Sequence, residues 1–127
     1  MPTLDHEDLL TLARKAHGAA SDADVQRLAG ALGTFVHALA GHLGRELPQL
    51  TRLPPAEARI LRRGQARVAA SARTLLTEAE AGCAGPPGRC AAWAEELLAL
   101  LTLQTRDERL SLHRPSAGGG PEGRRDP

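Results

Sequence analysis

Residues 28–46 read LAGALGTFVHALAGHLGRE, and this stretch decides the fold class. Four of its large apolar side chains are spaced by three or four residues: Leu28, Leu32, Phe35 and Leu39. Such spacing places them on one face of an α-helix. The same face continues with His42 and Glu46, which are one turn apart. The stretch therefore predicts a helix whose buried face is apolar for most of its length and polar near its C-terminal end.

The composition supports helices throughout the chain. Hydrophobic residues make up 42% of the 127 residues, but aromatic residues only 2%, and there is no Tyr. The apolar residues are mainly Leu and Ala, which favour helices, whereas strands favour β-branched and aromatic residues. A chain of this length is expected to form one domain with a real core. We therefore predict an all-α protein.

Helix boundaries follow from capping residues, Pro and Gly. The first helix is predicted from Thr3 to about residues 16–19, and residues 21–24 resemble a capping box for the second. The second helix is predicted to end at about Leu47, because Pro48 follows. Pro54 and Pro55 predict the start of a third helix, which is expected to end near Ala81. A turn is predicted over residues 85–88, followed by a fourth helix that ends near Leu112.

Four helices with short connections predict an antiparallel, up-and-down four-helix bundle. We expect this bundle to occupy residues 1–114. Residues 115–127, rich in Gly, Pro and Arg, are expected to be a disordered tail.

Charge and motifs exclude several functions. The net charge is +1, which gives no overall electrostatic case for binding nucleic acid or an anionic membrane. No apolar run approaches a membrane span and the N-terminus lacks a hydrophobic signal core, so we expect a cytoplasmic protein. Fifteen of the 16 basic residues are Arg, which indicates GC-rich codon usage and a bacterial source. No nucleophile triad or phosphate loop is present, so a conventional enzyme is not expected.

Polar residues interrupt the apolar face of every predicted helix. Gln104 and Glu108 follow Leu97 and Leu101 on the fourth helix, and His6 is in register with Leu10 and Ala13 on the first. In an antiparallel bundle, the starts of helices 1 and 3 meet the ends of helices 2 and 4. Six polar residues are therefore expected at one end of the core: His6, His42, Glu46, Gln65, Gln104 and Glu108.

Buried polar groups of this kind need partners. Imidazole and carboxylate together suit iron, zinc or manganese, so a divalent metal is one solution. A hydrogen-bonded polar layer is the other, and both remain open. On helices 3 and 4, Gln65 and Gln104 are expected at matching distances from the turn that joins the two helices. His42, however, is expected about seven residues further from its turn than His6, a mismatch of about 10 Å that tilt or a longer loop would absorb.

A family resemblance rests on His6, on the His42-x-x-x-Glu46 pair and on the Leu47-Pro48-Gln49-Leu50 sequence that follows it. In these features residues 4–112 resemble the hemerythrin-like (HHE cation-binding) family. The resemblance implies a four-helix bundle holding non-haem iron, and ligand roles for His6, His42, Glu46 and Glu108.

The chain also differs from that family at several positions. Gln65 and Gln104 stand where the family has histidines, and Ala69 stands where a further ligand would be. Gln65 and Gln104 would be substituted ligands or would support the ligands. The expected function is metal binding, with one or two iron ions, in a sensing or storage role. The alternative is a metal-free bundle that serves as a protein-interaction module.

Three further features of the sequence lie outside this polar cluster. Cys83 and Cys90 flank the turn between helices 3 and 4, so they are either a thiol switch or free thiols without a role; a zinc site there would need more ligands. A basic face on helix 3 is either a face that docks a partner or nucleic acid, or a solvated one: Arg59, Arg62, Arg63, Arg67 and Arg73. No special role is predicted for three histidines: His17, His37 and His113.

Overall fold

The computed structural model describes the backbone of residues 2–112 and the side chains of residues 6–112. Four helices account for nearly all of it: α1 (Pro2–Ser21), α2 (Val25–Leu50), α3 (Pro55–Glu80) and α4 (Arg89–Leu112). Each helix packs against the next one along the chain, and α4 packs against α1. This arrangement confirms the predicted all-α, up-and-down four-helix bundle.

The core follows the predicted helical faces. Its largest buried apolar side chains come from all four helices: Leu9, Leu28, Leu32, Phe35, Leu75 and Leu97. On α1 the core residue is Leu9 rather than Leu10, which is half-buried. Small side chains fill the core nearer the α1–α2 and α3–α4 connections: Ala16, Ala19, Ala79 and Ala94. The middle of the bundle is therefore a conventional apolar core.

The connection between α1 and α2 differs from the prediction. Helix α1 continues to Ser21, so the predicted capping box at residues 21–24 is wrong. Asp24 caps α2 instead, and its Oδ1 accepts a hydrogen bond from the backbone N–H of Arg27 at 3.1 Å. Ala23 has a φ of 56°, so the chain reverses in a left-handed residue between the two helices. The tight turn lets α1 run longer than its local signals indicate, and α2 begins at Val25.

Helix α2 does not end before Pro48. It continues to Leu50, with Pro48 inside it. Pro48 has no N–H and so leaves the carbonyl of Gly44 without its usual helical donor. One turn later the backbone N–H of Thr51 donates to the carbonyl of Leu47 at 3.2 Å, as in a helix. Leu50 is buried in the core, and this burial offsets the lost hydrogen bond.

The second half of the chain follows its local signals closely. Pro54 precedes α3 and Pro55 is its first residue, as predicted. The connection from α3 to α4 contains three residues with positive φ: Gly82, Cys83 and Gly88. The predicted tail at residues 115–127, the boundary at residue 114 and His113 lie outside the described residues. Within residues 2–112, no helix has the length and apolar character needed to cross a membrane.

Candidate metal centre

The bundle brings the six predicted polar residues together at one end of its core. All six are buried: His6, His42, Glu46, Gln65, Gln104 and Glu108. The predicted difference in depth between His6 and His42 is wrong. Helix α1 ends at Ser21 and α2 begins at Val25, so the two histidines lie at nearly equal distances from the connection between these helices. The remaining difference is only about 3 Å along a helix, because α1 is longer than predicted.

Four side-chain atoms form the centre of the cluster. They are His6 Nε2 from α1, His42 Nε2 and Glu46 Oε2 from α2, and Glu108 Oε1 from α4. Each nitrogen lies close to both oxygens. His6 Nε2 is 3.1 Å from Glu108 Oε1 and 3.4 Å from Glu46 Oε2. His42 Nε2 is 3.2 Å from Glu108 Oε1 and 3.1 Å from Glu46 Oε2.

The amide groups of two glutamines contact the second carboxylate oxygen of Glu46 and of Glu108. Gln65 Nε2 donates to Glu46 Oε1 at 3.2 Å and to Glu108 Oε2 at 3.1 Å. Gln104 Nε2 donates to the same Glu108 Oε2 at 2.8 Å. Each glutamate therefore presents one oxygen to the histidines and the other to a glutamine amide. These contacts fix the rotation of both carboxylates.

The position of Gln104 depends on Gly64, which the sequence pattern does not single out. Gln104 Nε2 also donates to the backbone carbonyl of Leu61 on α3, at 3.0 Å. To reach it, the side chain crosses Gly64, where an added Cβ would lie only 1.7 Å from Gln104 Oε1. Only glycine leaves this space. Because the contact is between α3 and α4, no local sequence pattern identifies it.

The cluster shifts the ionisation of its own members. Burial disfavours charged imidazole, but hydrogen bonds to Glu108 and Glu46 outweigh it and raise the pKa of His42 to about 9. The same balance raises the pKa of His6. Burial would also raise the pKa of both carboxyl groups, yet hydrogen bonds from the histidines lower the pKa of Glu46 and of Glu108. The His42 imidazolium and the two carboxylates thus stabilise one another's charged forms, and the same contacts favour the charged form of His6.

Comparisons with known protein families, with curated proteins and with solved structures found no match for this chain. The capacity of the cluster to hold a metal therefore follows from its donor chemistry and spacing.

The donor set fits a divalent transition metal. Its members offer two imidazole nitrogens and two carboxylate oxygens, all within 4.8 Å of one another. The four nitrogen–oxygen separations of 3.1–3.4 Å are close to those expected between neighbouring ligands of an ion with bond lengths of about 2.0–2.2 Å, as in zinc sites. A divalent ion with two carboxylates and two neutral imidazoles is also electrically neutral. The buried cluster could therefore hold a metal ion.

A small cavity lies against these donors. Its volume is about 10 Å³, and its lining includes His6, His42, Gln65 and Thr105. Thr105 is 4% exposed, and its hydroxyl oxygen has no hydrogen-bond partner among the described residues. Such a group is normally satisfied by a bound ion or water. Thr105 was not predicted as a site residue, although it lies four residues after Leu101 and one turn before Glu108.

The other candidate residues lie outside the cluster. Ala69 is half-buried on α3 and has no donor group. His17 is half-buried and His37 is exposed, and neither belongs to the group of possible metal donors. All five arginines of the α3 basic face are exposed: Arg59, Arg62, Arg63, Arg67 and Arg73.

Proposed function

We propose that this protein binds one transition-metal ion per chain through His6, His42, Glu46 and Glu108. The observation that carries the proposal is the buried ring in which each imidazole Nε2 lies 3.1–3.4 Å from an oxygen of both carboxylates. Burying four ionisable groups is unfavourable unless they are neutralised. A divalent ion neutralises the two carboxylates and uses the lone pair of each neutral imidazole.

The arrangement of the carboxylates favours one ion over two. A second ion would need the remaining oxygens, Glu46 Oε1 and Glu108 Oε2. Both already accept hydrogen bonds from Gln65, and Glu108 Oε2 also accepts one from Gln104. The uncharged amides of Gln65 and Gln104 lie where a second cation would lie. They keep the carboxylates oriented toward the histidines. Gln65 and Gln104 therefore act as supports for the ligands, in the manner of hydrogen-bonded neighbours that tune metal sites.

Non-haem iron is the metal we propose. Two imidazoles with two carboxylates suit iron, and the resemblance of residues 4–112 to the hemerythrin-like family points the same way. When bound, iron would supply a redox-active centre that these side chains lack. A chain of 13.4 kDa that binds one ion holds little metal for its mass, and this low capacity favours a sensing role over storage.

The chain's own residues indicate how a sensor of this kind would respond. The proposed ligands belong to α1, α2 and α4, and Gln65 connects α3 to two of them. One ion would therefore tie together the same end of all four helices. Ligand binding stabilises the state that binds, by about 4 kcal/mol when the free ion is at about 1,000 times its dissociation constant. His6 lies in the first turns of α1, so metal occupancy would control how firmly that helix end is held.

The test is metal stoichiometry in matched histidine variants. Protein is prepared metal-free with a chelator and then titrated with Fe²⁺ under anaerobic conditions, and with Zn²⁺ as a redox-inert comparison. Elemental analysis should give close to one ion per wild-type chain. His42→Ala should lose the ion, whereas His37→Ala should retain it, because His37 is an exposed histidine on the same helix. Gln65→Ala should retain the ion with affinity weaker by about 10–100-fold.

The proposal fails if wild-type protein and His42→Ala take up the same amount of metal. It also fails if the wild-type chain binds no metal and chelator leaves its thermal stability unchanged. Two ions per chain would contradict the single-ion arrangement but retain the site.

A metal-free interaction module is the second candidate. The observation that favours it is the mutual stabilisation within the cluster, in which contacts with the glutamates raise the pKa of both histidines and contacts with the histidines lower the pKa of both glutamates. The glutamines donate to the carboxylate oxygens that do not face the histidines, so both carboxylates have hydrogen-bond partners without an ion. In this case the bundle acts through a protein partner. Unchanged stability in chelator, together with retained partner capture by His42→Ala, would support this candidate.

A further inference from the structure

Two cysteines lie at the end of the bundle opposite the histidine–glutamate cluster. Cys83 is in the connection after α3, and Cys90 is the second residue of α4. About 18 residues of helix and turn separate Cys83 from Gln65, which corresponds to roughly 25 Å along the bundle. The sulfurs are therefore far from the proposed metal ligands, and the inference below does not depend on metal binding.

The connection holds the two sulfurs close together. Their Sγ atoms are 2.6 Å apart, and both residues are free thiols. An S–S bond is about 2.05 Å long, so forming one would need a movement of only about 0.6 Å. The backbone N–H of Cys83 donates to the carbonyl of Glu78 at 2.8 Å, and the Arg89 guanidinium pairs with the Glu78 carboxylate at 3.1 Å. These contacts across the turn fix the positions of both cysteines.

A cavity gives access to this pair. It has a volume of about 370 Å³ and lies between the α1–α2 and α3–α4 connections. Its lining includes both cysteines, with Pro86 and Pro87 on one side and Asp24 and Val25 on the other. Both cysteines are half-buried, so a small reagent can approach the sulfurs. A dithiol with an adjacent cavity differs from two unrelated surface thiols.

We propose that Cys83 and Cys90 are a redox-active dithiol that is oxidised to an intramolecular disulfide by low-molecular-weight disulfides. A thiolate of the pair attacks one sulfur of the small disulfide RSSR and expels one thiolate RS⁻, giving a mixed disulfide. The second cysteine then attacks the protein sulfur of that bond and expels the second RS⁻. The net reaction converts two protein thiols and RSSR into one protein disulfide and two RSH. The protein loses two electrons and the small disulfide gains them.

The structure also assigns an order to the two sulfurs. The Cys90 thiol donates its hydrogen to Cys83 Sγ, so Cys83 Sγ is the acceptor of the pair. Burial, followed by the interaction with Cys83, raises the pKa of the Cys90 thiol to about 12, which keeps it protonated at neutral pH. Cys83 is therefore the first attacking sulfur. Cys90 becomes the second attacker once Cys83 is in the mixed disulfide, because its sulfur lies next to the Cys83 sulfur.

The test is intact mass of the full chain after incubation with excess glutathione disulfide, with alkylation of remaining thiols. Wild-type protein should lose about 2 Da, carry no glutathione adduct and take up no alkylating reagent. Cys90→Ser removes the second attacker, so this variant should stop as a single glutathione adduct on Cys83. Cys83→Ser should form its adduct more slowly than Cys90→Ser, because burial still raises the pKa of the Cys90 thiol when Cys83 is absent.

Three outcomes would overturn the proposal. Wild-type protein that keeps two alkylatable thiols has no redox-active pair. Protein that gains two adducts has two independent thiols. Equal adduct rates in the two single variants contradict the assigned order. The wild-type result needs no variant, and thermal unfolding checks that each serine variant is folded. The reaction should be unchanged in wild-type protein treated with chelator, so its failure is distinguishable from failure of the metal proposal.

Discussion

The two halves of the core along the bundle axis make an instructive comparison. Around Phe35, Leu75 and Leu97 the helices are held by apolar side chains that are fully buried. Around His42, Glu46 and Glu108 the same helical faces are just as buried but carry charge. Burial is therefore equal in the two regions, and the physical basis of their stability differs. The apolar region depends on area removed from water, whereas the polar region depends on charge balance and hydrogen-bond geometry.

The difference has a consequence for function. An apolar core is insensitive to pH and to ions, because nothing in it titrates or coordinates. The polar end is stable only while its charges balance, so its stability depends on what occupies it. Four predictions test this contrast, in order of decreasing effect.

The largest effect is expected in the apolar region. Phe35→Ala should destabilise the protein by about 3–5 kcal/mol, because it removes the largest fully buried side chain and leaves a cavity. Urea unfolding at several pH values measures this change. The loss should be the same at every pH at which the protein is folded. A loss that varies strongly with pH would mean that the two regions are coupled.

The polar end should make the metal-free protein sensitive to pH. Because the pKa of His42 is raised from 6.5 to about 9, its contribution is complete below pH 6.5 and is lost as the pH rises through 9. The raised pKa of His42 adds about 3 kcal/mol to the free energy of unfolding below pH 6.5. The lowered pKa values of Glu46 and Glu108 contribute stability above pH 4.5 that is lost on acidification. Metal-free protein should therefore be most stable between about pH 4.5 and 6.5.

Unfolding of the chelator-treated protein from pH 4 to 10 measures this profile, and His37→Ala is the control. Bound metal should reduce the alkaline loss, since a coordinating imidazole is already unprotonated. A flat profile between pH 6.5 and 9 in metal-free protein would contradict the paired-charge description of the cluster.

Removing one negative charge should have a somewhat smaller effect. Glu108→Gln keeps the size of the side chain but leaves two histidines facing one carboxylate. The loss of charged hydrogen bonds should destabilise the metal-free protein by about 2–3 kcal/mol, and less at alkaline pH, where the histidines are neutral. The pKa of His42 should fall, because Glu108 is its leading hydrogen-bond partner. An NMR titration of the imidazole protons measures it, and an unchanged pKa would refute the assigned contact.

The smallest effect concerns the contact between Gly64 and Gln104. Gly64→Ala should displace the Gln104 side chain and lower stability by about 1 kcal/mol, since the clash outweighs the helix propensity that Ala adds. Gly33→Ala is the matched control, because nothing lies within 4 Å of the added Cβ there, and it should be stabilising. If both variants are stabilised to the same extent in thermal unfolding, Gln104 does not depend on Gly64.

Much of the site could be predicted from the sequence because helical spacing is a strong local signal. The i, i+4 pairs His42–Glu46 and Gln104–Glu108 were placed on the buried face by their spacing from Leu39 and Leu101. Thr105 was missed because Gln104 was assigned to the buried face in its place, although Thr105 has helical spacing from Leu101 and Glu108 and is also buried. The predicted difference in depth between His6 and His42 was wrong because the length of α1 depends on a turn at Ala23 that local signals do not specify.

Periodicity within single segments was enough to specify the helices, their buried faces and the end of the bundle at which polar groups collect. Three features emerged only when the helices were packed: which oxygen of each glutamate faces a histidine, the path of Gln104 across Gly64, and the separation of 2.6 Å between the two cysteine sulfurs. Such contacts join residues that are distant in the chain or separated by an irregular turn. They depend on the relative depth and rotation of packed helices and on turn geometry, which no single segment specifies.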